Sequence, residues 1–355
     1  MTADGTVKAA EAPQDAGIRA AIHALVNERR SLTEEEAAAA MEEIMTGCAS
    51  PAQFGAFVTA LRLKGETVDE IVGMARVMRA KAVRVDFDGA LLDTCGTGGD
   101  ASGSFNVSTA AAFVAAGAGA RVAKHGNRAM SSRCGSADVL EALGARIDLT
   151  PEQVTRCLRE AGVAFMFAPS FHPAMRFAAA PRREIGVRTV FNILGPLTNP
   201  AGAETQVLGV PGVDVAETMA QALGRLGSRH AMVVHSDDGL DELSVCGPTF
   251  VCEVRDGTVR QMRVTPEDAG LRRWDREAVR GGTPEENADA MRRVLGGRER
   301  GALRDFVVLN AAAGLTVAGR AADLREGVAL AQQAIDSGAA LACLDRFVEV
   351  TRSVG

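Results

Sequence analysis

The sequence predicts an α/β protein in which a small helical unit precedes a larger domain built on a mostly parallel central sheet flanked by helices. Three observations predict it. Apolar residues recur at helical spacing from residue 17 to about 82. Beyond residue 85, short apolar runs alternate with amphipathic stretches, the pattern of parallel strands and the helices that cover them. A chain of 355 residues, 47% hydrophobic and 24% charged, also has ample apolar material for a large core.

Residues 1–16 read as a polar lead-in. Ile18, Ile22, Leu25 and Val26, then Phe54, Phe57, Val58 and Leu61, then Ile71, Met74 and Met78 mark successive helical faces. Thr33 with Glu36 and Thr67 with Glu70 have capping-box spacing, Ser50-Pro51 sets an N-cap before a proline at the first helical position, and Gly47 and Gly65 suit helix ends. Strands are expected at "ALLDTC", "RVAKHG", "RIDL", "VAFMFA", "TQVLGV" and "HAMVVHS". Helices are expected between them at 108–118, 136–144, from Thr150-Pro151 onward, and at 214–226. In "FVCEVRDGTVRQMRV", Asp256-Gly257 separates two alternating runs and predicts an antiparallel hairpin. Helices near 284–295, 302–318 and 324–337 close the chain.

Composition excludes several classes of function. Net charge is −6 and no Lys/Arg run occurs, so neither nucleic acid nor an anionic membrane is the expected partner, and any polyanion must be held locally. With no Tyr and only Trp274, the chain also lacks a stacking platform for single-stranded nucleic acid. The start, "MTADGTVKAAEAPQDAG", lacks the layout of a signal peptide, and no apolar segment is long enough to span a bilayer, so a cytoplasmic protein is expected. Cys48, Cys95, Cys134, Cys157, Cys246, Cys252 and Cys343 form no C-x-x-C pair and are expected to be reduced and buried. A thiol nucleophile at Cys95 or Cys134 is the sharper alternative. His23, His125, His172, His230 and His235 show no zinc-ligand spacing.

The chemistry concentrates in "LLDTCGTGGDASGSFNVSTA", residues 91–110. It follows a predicted strand and enters a helix, where ligands of α/β sheets collect. Gly96, Gly98 and Gly99 let the backbone bend sharply and approach a ligand, and Ser104, Asn106, Ser108 and Thr109 add donors at the helix start. A phosphate is the expected guest. Gly96-Thr97-Gly98-Gly99-Asp100-Ala101 fits G-x-G-x-x-A, but the next strand ends at Lys124 instead of the acid that would hold an adenosine ribose, and no Walker loop occurs. A purely structural glycine turn would need neither Asp100 nor the hydroxyl-rich sequel.

A second loop, "KHGNRAMSSRCGSADVLEALG" at 124–144, offers Lys124, His125, Asn127, Arg128, Ser131 and Ser132 before a helix starting near Ser136. A lysine point charge with serine and backbone donors suits a diphosphate. In "SDDGLDELS", Asp237, Asp238, Asp241 and Glu242 crowd one turn. Acidity beside phosphates makes sense if Mg²⁺ bridges them, and a solvated acidic turn is the alternative. "VVHSDD" invites comparison with the aspartate-pair loop of one phosphoribosyltransferase class, but the T-T-G that must follow is missing.

Together, "CGTGGD", "FNVSTA", "KHGNRAMSSRCGSADVLEALG", "HPAMRFAAAPRREIGVRTVFNILGPLTNP" and "DELS" resemble the anthranilate phosphoribosyltransferase family, in the family's order over most of residues 90–245. The resemblance implies a nucleoside phosphorylase/phosphoribosyltransferase-like fold. Its small helical domain is discontinuous, 17–85 completed by about 172–195, beside an α/β domain of 86–171 and 196–355. For phosphoribosyl pyrophosphate it implies Gly96, Gly99, Asp100, Ser104, Asn106, Val107, Ser108 and Thr109 from the first loop. From the second it implies Lys124, His125, Gly126, Asn127, Arg128, Ala129, Met130, Ser131, Ser132 and Ser136. It implies Ser108, Asp241 and Glu242 for Mg²⁺, and Gly96, Asn127 and Arg182 for anthranilate, with His125 nearby and Arg183 a neighbouring alternative to Arg182. Ala101 and Ser104 stand where the family commonly has glycine and threonine, and neither removes a required group. A homodimer through the helical domain is expected.

The implied reaction belongs to tryptophan biosynthesis: the anthranilate amine attacks the anomeric carbon as pyrophosphate leaves, through a loose displacement that needs no strong base. Two rivals are a pyrimidine nucleoside phosphorylase-like enzyme, which would not need the acids at 241 and 242, and a non-catalytic paralogue binding a ligand or nucleic acid.

Overall fold

The computed structural model describes residues 17–98, 103–129 and 133–353. Four helices come first: α1 (Ile18–Val26), α2 (Glu34–Thr46), α3 (Pro51–Lys64) and α4 (Val68–Lys81). The expected caps form. Thr33, Ser50 and Thr67 each accept the backbone N–H three residues on, and Glu36, Gln53 and Glu70 reach back to close the capping boxes. Gly47 ends α2 in the left-handed conformation at φ 77°.

The larger part runs β1 (Leu92–Gly96), α5 (Val107–Gly117), β2 (Val122–Gly126), α6 (Ser136–Ala142), α7 (Pro151–Glu160) and β3 (Val163–Phe167). The short α8 (Ala168–Phe171), α9 (Arg176–Ile185) and α10 (Phe191–Leu194) follow. Next come β4 (Thr205–Gly209), α11 (Val213–Arg225), β5 (His230–Ser236) and the hairpin β6 (Thr249–Arg255) with β7 (Thr258–Val264). Helices α12 (Pro284–Leu295), α13 (Ala302–Val317), α14 (Leu324–Asp336) and α15 (Ala339–Ser353) complete it.

The strands form one sheet in the order β3-β2-β1-β4-β5-β6-β7, parallel from β3 to β5 and antiparallel at the last two pairings. Asp256 and Gly257 both have positive φ, 49° and 79°, as a tight hairpin turn with right-handed strand twist requires. Period two divides β5 between two cores: Met232 and Val234 pack with α5 and α13, whereas Ala231 and Val233 share a core with α1–α4 and α11. The leading helices and one face of the sheet therefore have a continuous apolar interior.

Three expectations are corrected. "RIDL" is not a strand. Ile147 and Leu149 are buried and Arg146 and Asp148 exposed, so the alternation is real, but the segment pairs with no strand among the described residues. The chain does not close with the helix ending near 337, because α15 follows and packs on α5 and α7. Among the cysteines Cys48 is exposed and Cys246 half-buried, the other five are buried, and all seven are free thiols.

Candidate active site

Strand order reverses between β1 and β4: the chain leaves β1 toward β2 and returns on the other side. Crevices at the carboxyl ends of such strands are where ligands of open α/β sheets bind. Gly96 ends β1 and Gly209 ends β4, paired in register. The loop after β5 lies directly over them. A Cβ on Gly96 would stand 2.9 Å from Asp241 Oδ2, and one on Gly209 only 1.6 Å from the Asp241 carbonyl oxygen. These two glycines make room for the acidic loop, whereas the sequence reading gave Gly96 to ligand alone and did not single out Gly209.

The four acids of that loop separate in function. Asp237 pairs with Arg263 at 2.5 Å, and Asp238 accepts from Ser244 Oγ at 2.6 Å, so both hold the loop together. Asn310 of α13 clamps its far end, accepting from Leu243 N and donating to Leu243 O. Asp241, 7% exposed, remains over the glycines, and Glu242 acts electrostatically on Lys124.

Lys124 sits in β2 with 2% exposure, its Nζ donating to Thr94 O and to Ser108 Oγ at 3.2 Å. Beside it Asp93 in β1 is wholly buried. Burial pushes the Asp93 carboxyl up and the Lys124 ammonium down, and each charge opposes the other's shift. Ser108 and Thr109 open α5, just after Val107 at its first position. Thr109 donates to Ser136 Oγ at 3.1 Å, joining the first turns of α5 and α6 under the two loops.

His125 follows Lys124, and His172, which the sequence reading passed over, lies beside it with ring centroids 5.0 Å apart. Both Nε2 atoms are buried without a hydrogen-bond partner among the described residues, while the other ring nitrogens bond the Gly195 and Thr198 carbonyls. Desolvation, helped by the neighbouring ring, pushes His125 down to about 3, and desolvation pushes His172 down to about 4. Two neutral imidazoles thus present open acceptor nitrogens.

Other predicted contacts are engaged by protein. Asn106 donates to Cys134 O at 3.0 Å and accepts from Asn287 Nδ2 at 2.8 Å, tying α5 to the second loop and to α12. Arg128 makes a forked pair with Glu141 and stacks over Phe167 at 5.6 Å. The Ala129 and Gly135 N–H groups both donate to Asp138, which closes the second loop on itself. The Asn127 side chain accepts from Arg128 N at 2.8 Å. Gly126 ends β2, where a Cβ would meet the Phe165 ring at 2.8 Å. Ser104 bridges to Arg280, a contact from a segment that the sequence reading left without a role. Gly99, Asp100, Ala101, Met130, Ser131 and Ser132 lie outside the described residues.

Arg182 lies on α9 with its guanidinium over the Phe191 ring at 5.5 Å, and desolvation lowers its pKa. It has no ion pair among the described residues, and neighbouring Arg183 is exposed. A thiol nucleophile is not supported: burial raises Cys95 well above the usual thiol range and pushes Cys134 up to about 11.

Fold and site together define a glycosyl transferase of the two-domain kind. Residues 88–341 match the α/β domain of that glycosyl transferase family, and residues 19–82 match its helical bundle domain. Among curated relatives, the anthranilate phosphoribosyltransferase of Chloroflexus aggregans is 61% identical over 336 residues, covering 94% of this chain and 98% of that one. That of Roseiflexus castenholzii is 62% identical over 321 residues, covering 90% and 94%. The crystal structure of the Thermus thermophilus anthranilate phosphoribosyltransferase superposes with TM-score 0.89 at 48% identity, covering 94% of this chain and 99% of that one. The Saccharomyces cerevisiae anthranilate phosphoribosyltransferase in complex with PRPP and Mg gives 0.87 at 27% identity, covering 95% and 98%. The chain belongs to the anthranilate phosphoribosyltransferase family.

Proposed function

We propose that this chain transfers the phosphoribosyl group of phosphoribosyl pyrophosphate to the amine of anthranilate, releasing pyrophosphate, as a step of tryptophan biosynthesis. The observation that carries the reading is the buried Lys124 ammonium seated on Ser108, with Asp241 and Glu242 over the same crevice. A polyanion needs the cation, and the adjacent acids need a second one. Among the described residues no three His, Cys, Asp or Glu side chains stand together as a metal site. Two carboxylates and a hydroxyl fit a magnesium ion that completes its shell with substrate oxygens and water. Held by Asp241, Glu242 and Ser108, magnesium would neutralise charge on the leaving pyrophosphate.

The bond from the anomeric carbon to pyrophosphate oxygen breaks as the bond to the anthranilate nitrogen forms, and the amine then loses a proton. In this reading Lys124 and the loop N–H groups bind the diphosphate, and Arg182 takes the anthranilate carboxylate as a fork. The neutral rings of His125 and His172 offer acceptors to amine N–H groups. Pyrophosphate release from phosphoribosyl pyrophosphate and Mg²⁺ should depend on anthranilate. Turnover of a pyrimidine nucleoside with inorganic phosphate instead would overturn the reading.

The domain boundaries follow the same proposal: 17–85 with about 172–195 as helical domain, and 86–171 with 196–355 as α/β catalytic domain. A homodimer through the helical domain is supported by Val26 and Leu63, 52% and 83% exposed on α1 and α3. Monomer mass in sedimentation at micromolar concentration would reject it. No helix among the described residues is long and apolar enough to cross a membrane; a cytoplasmic location belongs to this proposal.

A further inference from the structure

The pairing of β1 with β2 is unusually short. Its register comprises Leu92↔Val122 alone, whereas β1–β4 and β2–β3 each run for five pairs. In a parallel ladder the next rung would join Thr94 to the backbone of Ala123 and His125. Side chains have taken over instead. His125 N donates to Asp93 Oδ1 at 3.2 Å, Ala123 O accepts from Asn199 Nδ2 at 2.9 Å, and Thr94 O accepts from Lys124 Nζ. Asn199 is itself fixed: the same Nδ2 donates to Asp93 Oδ2 at 2.8 Å, and its Oδ1 accepts from Ala201 N at 2.9 Å. Gln206 of β4 adds a longer contact to Asp93 Oδ2 at 3.5 Å and anchors to Pro196 O at 2.8 Å.

A wedge of polar side chains therefore parts the sheet beneath the site, at the carboxyl ends of β1 and β2. Neither Asp93 nor Asn199 is within the proposed set of ligand contacts. A wholly buried carboxylate that only filled space would cost more than an apolar residue of the same size. Asp93 instead fixes the backbone that carries Lys124 and His125, and adds a negative charge near the Lys124 ammonium.

We propose that Asp93 and Asn199 are positioning residues for the reaction, holding the β1–β2 seam open so that Lys124 and His125 face the crevice in fixed geometry. The inference rests on the phosphoribosyl-transfer reading for its kinetic consequence, but the seam itself is read independently of turnover.

Asp93→Asn tests it. The amide keeps an acceptor for His125 N but turns a donor toward the Asn199 donor and removes the charge. Loss of a hydrogen bond to a buried charged group corresponds to about 10- to 100-fold. That loss is expected in kcat/KM for phosphoribosyl pyrophosphate. Amide exchange of residues 122–127 should accelerate about tenfold or more while β4 and β5 keep their protection. The exchange change with no turnover in the wild type would retain the seam and defeat the reaction reading. Normal exchange and normal kinetics in a folded Asp93→Asn protein would overturn the inference. In the double variant Asp93→Asn with Asn199→Asp, the amide donates to the new carboxylate and Ala201 N keeps its acceptor, but Ala123 O loses its donor, so activity should stay below wild type. Full recovery of wild-type kinetics and exchange would overturn the role of the Asn199–Ala123 contact in the seam. Should Asp93→Asn fail to fold, Asn199→Ser removes the Ala123 and Asp93 contacts alone, and wild-type kinetics with unchanged exchange in it would equally overturn the proposal.

Discussion

Acidification from pH 7 to pH 5 should destabilise this protein through its two buried histidines. In the folded chain His125 and His172 are pushed down to about 3 and about 4, against an ordinary value of 6.5. The unfolded chain therefore takes up protons first. Stability from this source is complete above pH 6.5 and is lost as pH falls toward 4 and then 3. Down to pH 5 neither folded ring accepts much proton, while both unfolded rings are nearly fully charged. Each contributes a loss of about 2 kcal/mol, or about 4 kcal/mol together. Both side chains are buried, so solvent screening discounts this little. For a chain of this length the change corresponds to roughly 5 °C in Tm. Carboxylates also titrate on this path, so the assay is a comparison. His125→Asn with His172→Asn keeps a side-chain donor toward each carbonyl and cannot take up a proton. Melting curves of wild type and double variant should converge by about 4 kcal/mol between pH 7 and pH 5. Parallel curves would refute the reasoning, because they would mean that the two rings titrate alike in the folded and unfolded chain.

Two further predictions concern the reaction. Arg182→Ala should raise KM for anthranilate about 10- to 100-fold, the worth of a charge-assisted fork, with near-normal KM for phosphoribosyl pyrophosphate. Arg183→Ala should behave as wild type, and the reverse order in steady-state kinetics would move the carboxylate contact by one residue. Replacing Asp241 and Glu242 together by alanine should nearly abolish pyrophosphate release and weaken Mg²⁺-dependent binding of phosphoribosyl pyrophosphate in calorimetry. Wild-type turnover at limiting Mg²⁺ would leave the acidic loop structural.

What the sequence made legible was periodicity and local chemistry. Capping boxes, glycine stops and the Asp256-Gly257 turn depend on neighbours three or four residues apart, so they could be read directly. "RIDL" shows the limit of that reading. Alternation reports which side of an extended chain is buried, and Ile147 and Leu149 are buried, but pairing needs a strand edge that the segment does not meet. Helix α15 lies beyond the helix expected to close the chain: Gly338 turns the chain at φ 81° and α15 starts at the next residue. In the candidate site, Lys124, Ser108 and Asp241 were named from their motifs, and the structure seats Lys124 on Ser108 and lays Asp241 over Gly96. Asp93, Asn199 and His172 were not singled out for the site, although all three lie inside quoted stretches. Their meaning comes from contacts such as Asn199 with Asp93, 106 positions away. Asn106 and Arg128 show the converse, a motif residue whose polar atoms the protein itself engages.

The outer arm of the glycine-rich loop is supported from far down the chain. Phe105 N donates to Val279 O, Gly281 N donates to Gly103 O, and Asn287 holds Asn106. A Cβ on Gly281 would lie 2.6 Å from Ser104 O, so the two backbones touch. Closing so long a loop has its entropic cost before these contacts form. During synthesis the first β–α unit emerges early, yet the arm at 103–106 must wait for these partners until nearly 180 later residues have been made. The final geometry of that arm is thus acquired late, after the strands that carry it have left the ribosome.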